Sequence, residues 1–288
     1  MNENSTATES LQRVAAELLS DGKVAVVIGY GRQNGDASFS SPEFVRTAKD
    51  ADRLVFDDRC FGNLAVYLSK DAVRRMGKIG IVVKGCDLRA VNVLLREHVV
   101  KREDIVLIGV PCSGQGEPLL HKCSVCEQRN PEGCDTVAGD PVEQPAINAE
   151  QRYSDAAAID AKSLEERWAF WHGQLSKCIR CYACRNVCPL CYCKRCITEK
   201  TIPQWIDTSA HLRGNVAWNV ARAFHLTGRC VNCGECERAC PMDIPLGAIN
   251  QKMAQLMNEQ YDFQSGLSSD QKAPFTTFNV DDPETGIL

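Results

Sequence analysis

The sequence predicts a two-part chain: an α/β domain built on a parallel sheet over residues 1–150, then a smaller, cysteine-dense α+β domain over residues 151–262. Three observations predict it. Short, β-branched apolar runs alternate with helical patterns at intervals of about 25 residues, the rhythm of βαβ units. Periodicity then fades between Glu117 and about Ser163. Finally, the 17 cysteines are split, eleven lying within the 63 residues from Cys178 to Cys240 and the other six between Cys60 and Cys134.

Lys23–Ile28 (KVAVVI), Arg53–Phe56 (RLVF), Ile79–Val83 (IGIVV) and Asp104–Gly109 (DIVLIG) read as strands buried on both faces of a parallel sheet, because each is a near-continuous apolar run. Leu64, Val66, Leu68 and Val73 mark an amphipathic helical segment between two of them, and Leu88, Val91, Leu94, Leu95 and Val99 mark the next. The stretch QRNPEGCDTVAGDPVEQP reads as loops and a linker, which puts the domain boundary near residue 150. A helical lead-in, Ser163–Leu175, delivers the chain to the dense cysteine cluster. A second helix, Asn215–Leu226, separates the cluster's halves. Residues 263–288 carry no pattern of a packed element and read as a mobile tail or a strap laid on a partner.

Composition excludes several classes. With 44% hydrophobic and 24% charged residues the chain is a globular protein with a core. Its 33 basic and 37 acidic residues give a formal charge of −4, and no Lys/Arg block supplies the basic stripe of a nucleic-acid binder. The polar start MNENSTATES has no apolar export region and no stretch is long enough to span a membrane, so a cytoplasmic location is expected. In that reducing compartment, cysteine at about 6% of residues points to metal binding rather than to disulfides.

The dense region contains one pattern twice: Cys178-x2-Cys181-x2-Cys184-x3-Cys188-Pro189 and Cys230-x2-Cys233-x2-Cys236-x3-Cys240-Pro241. This is the bacterial ferredoxin run. Three thiolates in a tight turn cap three irons of one cubane, and the fourth cysteine, opening the next helix, points at the other cluster. The spacing therefore assigns Cys178, Cys181, Cys184 and Cys240 to one 4Fe-4S cluster, and Cys230, Cys233, Cys236 and Cys188 to a second. A zinc ribbon is the competing reading. Zinc takes four ligands as two Cys-x2-Cys knuckles, which gives no reason for the third cysteine or the trailing Cys-Pro. Cys191, Cys193 and Cys196 have no counterpart after Cys240; they are read as another metal site, as substitutes for Cys188, or as small buried apolar residues beside the clusters.

In the α/β part, Cys60, Cys86 and Cys112 each follow the carboxyl end of an expected strand, and Cys123-x2-Cys126 follows closely enough to fold over the same rim. That rim is where open α/β sheets bind ligands. A third metal site is expected from four of these six cysteines: Cys86, Cys112, Cys123 and Cys126 are favoured, with Cys60 and then Cys134 in reserve. Buried free thiols are the alternative. Gly29 and Gly31, expected in a turn after the first strand, are candidates for backbone approach to a cofactor phosphate, against the simpler reading of a tight turn.

KGCDLRAVNVLLREH, GVPCSG and CSVC resemble the core of the beta subunits of deazaflavin-coenzyme-reducing hydrogenases and related formate dehydrogenases. GRCVNCGECERACPMDIPL resembles a dicluster ferredoxin domain. The resemblance implies an electron-transfer subunit that binds FAD beside a 4Fe-4S cluster and works with flavin-bearing or heterodisulfide-reductase-like partners. It also places a cluster on Cys112, Cys123 and Cys126, completed by Cys86. In those beta subunits the ferredoxin module is N-terminal, whereas here it is C-terminal, and no flavin-contact motif is matched. The leading expectation is an iron–sulfur electron-transfer subunit of a cytoplasmic complex of hydrogenase, formate dehydrogenase or heterodisulfide-reductase type. The alternative is an FAD-containing oxidoreductase exchanging hydride with a deazaflavin or nicotinamide coenzyme. Each all-thiolate cluster adds about two negative charges, so the whole-chain charge favours a partner with a basic docking face.

Overall fold

A computed structural model of the chain describes residues 3–32 and 40–274. The expected strands appear as β1 (Val26–Gly31), β4 (Ile79–Val83) and β5 (Ile105–Gly109), all but completely buried, because their β-branched side chains have apolar neighbours on both faces of the sheet. They pair in parallel, Val26 opposite Ile79 and Ile79 opposite Ile105. The stretch expected to be only loop adds β6 (Thr136–Val137), parallel to β5.

Two strands run the other way. β2 (Ser41–Val45) is antiparallel to β1 across its whole length. RLVF, expected as a parallel strand, contributes only β3 (Leu54–Val55), antiparallel to β1 at Tyr30 and Gly31. Since β2 takes one edge of β1, the other edge is shared: β4 pairs its first half and β3 its last two residues. Gly29 makes the exchange feasible. A Cβ there would lie 2.6 Å from the Leu54 side chain, so only glycine lets β3 close on β1.

The parting of β1 from β4 is filled by buried polar groups. Lys84, which follows β4, aims its ammonium at the Tyr30 hydroxyl, donates to the Gly62 carbonyl at 3.1 Å and pairs with Asp87 at 2.9 Å. Asp87 is fully buried and also accepts the backbone N–H groups of Lys84 (3.0 Å) and Leu64 (2.8 Å). It thereby holds the first turn of the helix over the sheet.

Three helices frame the first lobe: α1 (Glu3–Ser20), α2 (Asp71–Arg74) and α3 (Gly85–Arg96), with a 3₁₀ turn at Leu64–Ser69. The sequence reading missed α1. It buries Leu11, Val14 and Ala15, and its Gln12 amide donates to the carbonyls of Asp52 and Leu54, covering the β3 edge. The α2 segment expected as one amphipathic helix is instead the 3₁₀ turn followed by a four-residue helix.

The remaining helices are α4 (His121–Ser124), α5 (Ala149–Arg152), α6 (Ser154–Asp160), α7 (Leu164–Ser176), α8 (Ala183–Asn186), α9 (Leu212–His225), α10 (Glu235–Arg238) and α11 (Leu246–Tyr261). α7 opens where a Ser163/Glu166 capping box satisfies its first N–H groups. α6 lies on α11, tied by the Ala156 N–H to Gln251 (2.8 Å) and by Lys252 to Asp160 (2.6 Å). Among the described residues from 138 onward the only extended pairing is one isolated bridge, Thr201 to Gln204.

Residues 263–266 return to the first lobe. Arg89 donates twice to the Ser265 carbonyl, Asn92 donates to that of Gly266, and Phe263 and Ala273 pack on Met257. Within the stretch expected as a tail or strap over 263–288, Ser265 and Gly266 are tied to α3, and Phe263 and Ala273 to α11. Residues 275–288 lie outside the described residues. Among the described residues, no helix is long and apolar enough to cross a membrane.

The Lys84–Asp87 pair yields a stability test. Asp87→Ala leaves a buried ammonium unpaired, which costs about 3–5 kcal/mol, read as a lowered urea midpoint with an unchanged slope. A loss below about 1 kcal/mol would show that the pair does not hold the parted sheet together.

Candidate metal centres

The two cysteine runs fold alike. In the first, Arg180 and Tyr182 have φ of +59° and +58°; in the second, the corresponding Asn232 and Gly234 have +53° and +72°. Left-handed residues flank the middle cysteine in both runs. Each run then enters a four-residue helix, α8 or α10, that carries its third cysteine. α8 and α10 pack on each other.

Cys188, the fourth cysteine of the first run, lies within electrostatic reach of Cys230, Cys233 and Cys236, all three in the second. Cys240 and Cys178 pack against the apolar cluster of Leu175, Trp218, Ile244 and Leu246, which also holds Cys184 and Cys236. Cys181, in the first run, is exposed. Backbone and side-chain donors are aimed at the sulfurs: Asn232 N–H at Cys230 and the Asn250 amide at Cys236, each at 3.5 Å.

Arg222 on α9 stands between the two sets. It is 3% exposed, it donates to the Cys184 carbonyl, and its Nε has no hydrogen-bond partner. Burial alone would lower its pKa, but Cys236, Cys188, Cys184 and Cys191 together raise it above the usual guanidinium range. A buried cation with only neutral thiols beside it would be costly. The donor set therefore fits a group that keeps these thiols ionised, as an iron–sulfur cubane does. Among the described residues, no three His, Cys, Asp or Glu side chains are gathered tightly enough for a single metal ion. Cubane ligands stand on four separate corners and need no such convergence.

The rim cysteines also form a group. Cys112 is in reach of Cys86, Cys123 and Cys126 and accepts from the Gln115 amide at 3.3 Å. The loop that carries Cys123 and Cys126 folds back on α3: the Cys112 N–H donates to the Arg129 carbonyl at 2.9 Å, and a Cβ on Gly85 would sit 1.7 Å from the Gln128 carbonyl. Only glycine permits that approach at the turn preceding Cys86. Cys60 is fully buried among core residues and its sulfur accepts from the Asp57 N–H at 3.3 Å, with Cys112 nearby. Cys134 packs under Gly109, and the groups that influence its thiol are Asp135 and Arg102 rather than another cysteine.

Gly29 and Gly31 do not form a phosphate turn. The strand runs on through both, and a Cβ at Gly31 would meet Glu43 at 3.0 Å, so their lack of side chains serves strand packing. Of the additional cysteines, Cys191 touches the Cys188 thiol and is in reach of Cys184 and Cys196, whereas Cys193 is exposed.

Lys122 joins the two lobes. It leaves α4 immediately before Cys123, lays its stem on Gly234, and donates to the Cys233 carbonyl (2.9 Å) and to Glu235 (2.8 Å). Burial alone would lower its pKa; Glu235, Cys86 and Cys233 raise it instead. Around it a cavity of about 470 Å³ is lined by Cys86, Cys126, Cys188, Cys230, Cys233 and Cys236 together with Arg89, Arg152 and Arg222. Cys86 and Cys126 of the rim thus share a cation-lined space with the second ferredoxin set, and Cys181 is the exposed thiol of the first.

Residues 177–245 match the model of the 4Fe-4S dicluster domain family. The class is therefore an iron–sulfur, electron-transferring one. Among curated proteins, the chain is 35% identical over 118 residues to the F420-dependent formate dehydrogenase subunit beta of Methanocaldococcus jannaschii, covering 40% of this chain and 30% of that protein. It is 32% identical over 171 residues to the F420-dependent formate dehydrogenase 1 subunit beta of Methanococcus maripaludis, covering 57% of this chain and 41% of that protein. The chain spans less than half the length of either relative.

A pH dependence follows from the thiols. Burial pushes Cys184 up to about 11 and Cys230 up to about 12. Iron ligation requires the thiolate, so protons must leave as metal enters. Anaerobic iron uptake by the metal-free chain should therefore quicken between pH 7 and pH 9; a rate independent of pH over that range would show the thiols to be ionised already.

Proposed function

We propose that this chain is the iron–sulfur electron-transfer subunit of a cytoplasmic, multi-subunit redox complex, with Cys178, Cys181, Cys184 and Cys240 holding one 4Fe-4S cluster, Cys230, Cys233, Cys236 and Cys188 a second, and Cys86, Cys112, Cys123 and Cys126 a third. The observation that carries the reading is the serial placement of the thiol sets: rim thiols, Lys122, the Cys233 turn, Arg222, and finally Cys184 with the exposed Cys181. When bound, such cubanes accept and donate single electrons at low potential. The residues of the chain supply the rest. Arg222 and Lys122 compensate negative charge out of water, the Asn250 and Gln115 amides bond to sulfur, and the apolar cluster around Trp218 keeps solvent off the first set. The partial likeness to formate dehydrogenase beta subunits supports a partner that exchanges electrons with a coenzyme-reducing subunit. The first 150 residues act as the rim-bearing domain and the following stretch to about residue 262 as the dicluster domain.

Iron, sulfide and flavin analysis of anaerobically prepared protein tests this. About twelve irons per chain are expected for three cubanes. Cys112→Ala should lose about four, and Cys188→Ala should damage the cluster of Cys230, Cys233 and Cys236 while sparing that of its sequence neighbours. Eight irons in the intact chain would leave the rim thiols as plain core residues, and stoichiometric FAD would favour the hydride-exchanging alternative.

A further inference from the structure

The outward side of the first thiol set has an unusual surface. Thr201–Trp205 are five consecutive exposed residues at a tight bridge, with Ile202 92% and Trp205 66% exposed. Ile179, beside Cys178, is 53% exposed. Apolar side chains exposed close together and rimmed by polar ones mark interaction sites. The finger is anchored rather than loose. The next residue, Ile206, is buried, and buried Arg180 donates to the Asp207 carbonyl (3.0 Å) and to the Gly214 carbonyl (2.6 Å), fixing the finger and the start of α9 to the cysteine turn.

The same surface has a sign. Residues 177–213 hold seven basic side chains, Lys177, Arg180, Arg185, Lys194, Arg195, Lys200 and Arg213, against Glu199 and Asp207, a balance of +5 in a chain whose total is −4. Both acids are engaged within the segment, Glu199 by Arg185 and Asp207 by His211 and Arg213. Lys177, Lys200 and Arg213 are exposed around the turn that carries Cys181. Arg180 is buried and Lys194 pairs with Asp71 in the first lobe, so the exposed charge at this turn is that of Lys177, Lys200 and Arg213, basic although the chain as a whole is negative.

We infer that the face formed by Ile179, Cys181, Ile202 and Trp205, ringed by Lys200 and Arg213, is the docking surface for an acidic electron-carrier protein, the inference resting on the electron-transfer reading above. An apolar centre that excludes water with charged residues at its rim is the anatomy of a transient protein interface. Complementary charge sets the encounter rate and makes it salt-dependent. The local sign overrides the expectation of a basic partner that total charge alone gives.

The test uses the full-length, iron-loaded chain and a small acidic bacterial-type ferredoxin as probe, with a basic cytochrome c as control. Binding is measured by calorimetry at low and high salt, and reduction of the probe by stopped flow. The acidic probe should bind, with affinity falling as salt rises. Lys200→Glu with Arg213→Glu should weaken binding about tenfold at low salt and hardly at high salt. Ile202→Asp with Trp205→Ala should weaken it about tenfold at either. Iron content and the EPR signals of both variants should match the parent. Unchanged affinity in variants with full iron, absence of binding by the acidic probe, or tighter binding of the basic control would each overturn the docking face and leave the electron-transfer reading intact. A parent chain without iron in its dicluster segment would overturn the reading beneath it instead.

Discussion

A guanidinium held out of water among thiols is the constraint on which the second lobe depends. Arg222 has neighbours from both cysteine runs and its Nε is unpartnered, so its charge is neutralised only if those sulfurs are anionic. Cys188 carries the same message, since it lies among the three thiols of the second run. α8 and α10 pack on each other, and α9 lies where it brings Arg222 to both runs.

The first lobe repeats the theme with other cations. Lys84 fills the place where β1 exchanges β4 for β3, and its ammonium lies under the rim thiols with Asp87 as counter-ion. Lys122 spans from the rim to the Cys233 turn, where Glu235 receives it. Buried ion pairs of this kind add little net stability over apolar packing. Their placement beside cysteines rather than in the hydrophobic centre gives them an electrostatic role: they hold positive charge in low-dielectric space next to the thiols proposed to carry clusters, where charge is a lever on reduction potential. The Lys122–Glu235 pair also fixes the distance and register between the rim and the dicluster segment.

What the sequence made legible is what chemistry imposes as spacing. The Cys-x2-Cys-x2-Cys-x3-Cys-Pro repeat could be read as a dicluster domain, because cubane geometry dictates the intervals, and the buried parallel strands at Ile79 and Ile105 declared themselves by unbroken β-branched runs. The reversed direction of Leu54–Val55 was not legible: an apolar strand has the same pattern whichever way it points, and only the close approach at Gly29 decides it. α1 was overlooked because its apolar stripe at Leu11, Val14 and Ala15 is narrow within a polar helix. Arg222, Lys122 and Lys84 carry no motif at all, since a charge works through space and not through sequence interval. Gly31 misled for the opposite reason, a glycine doublet being equally suited to a phosphate turn and to a strand pressed against Glu43.

The thiol sets neighbour one another with cations between them, the arrangement the proposed passage of electrons within the chain requires. The most direct measurement is the low-temperature EPR spectrum of the fully reduced, full-length protein. Neighbouring reduced clusters should give a spectrum broadened and split by spin–spin interaction, which resolves into simple signals when the protein is only partly reduced. A spectrum that is the plain sum of isolated cluster signals at every degree of reduction would contradict that arrangement.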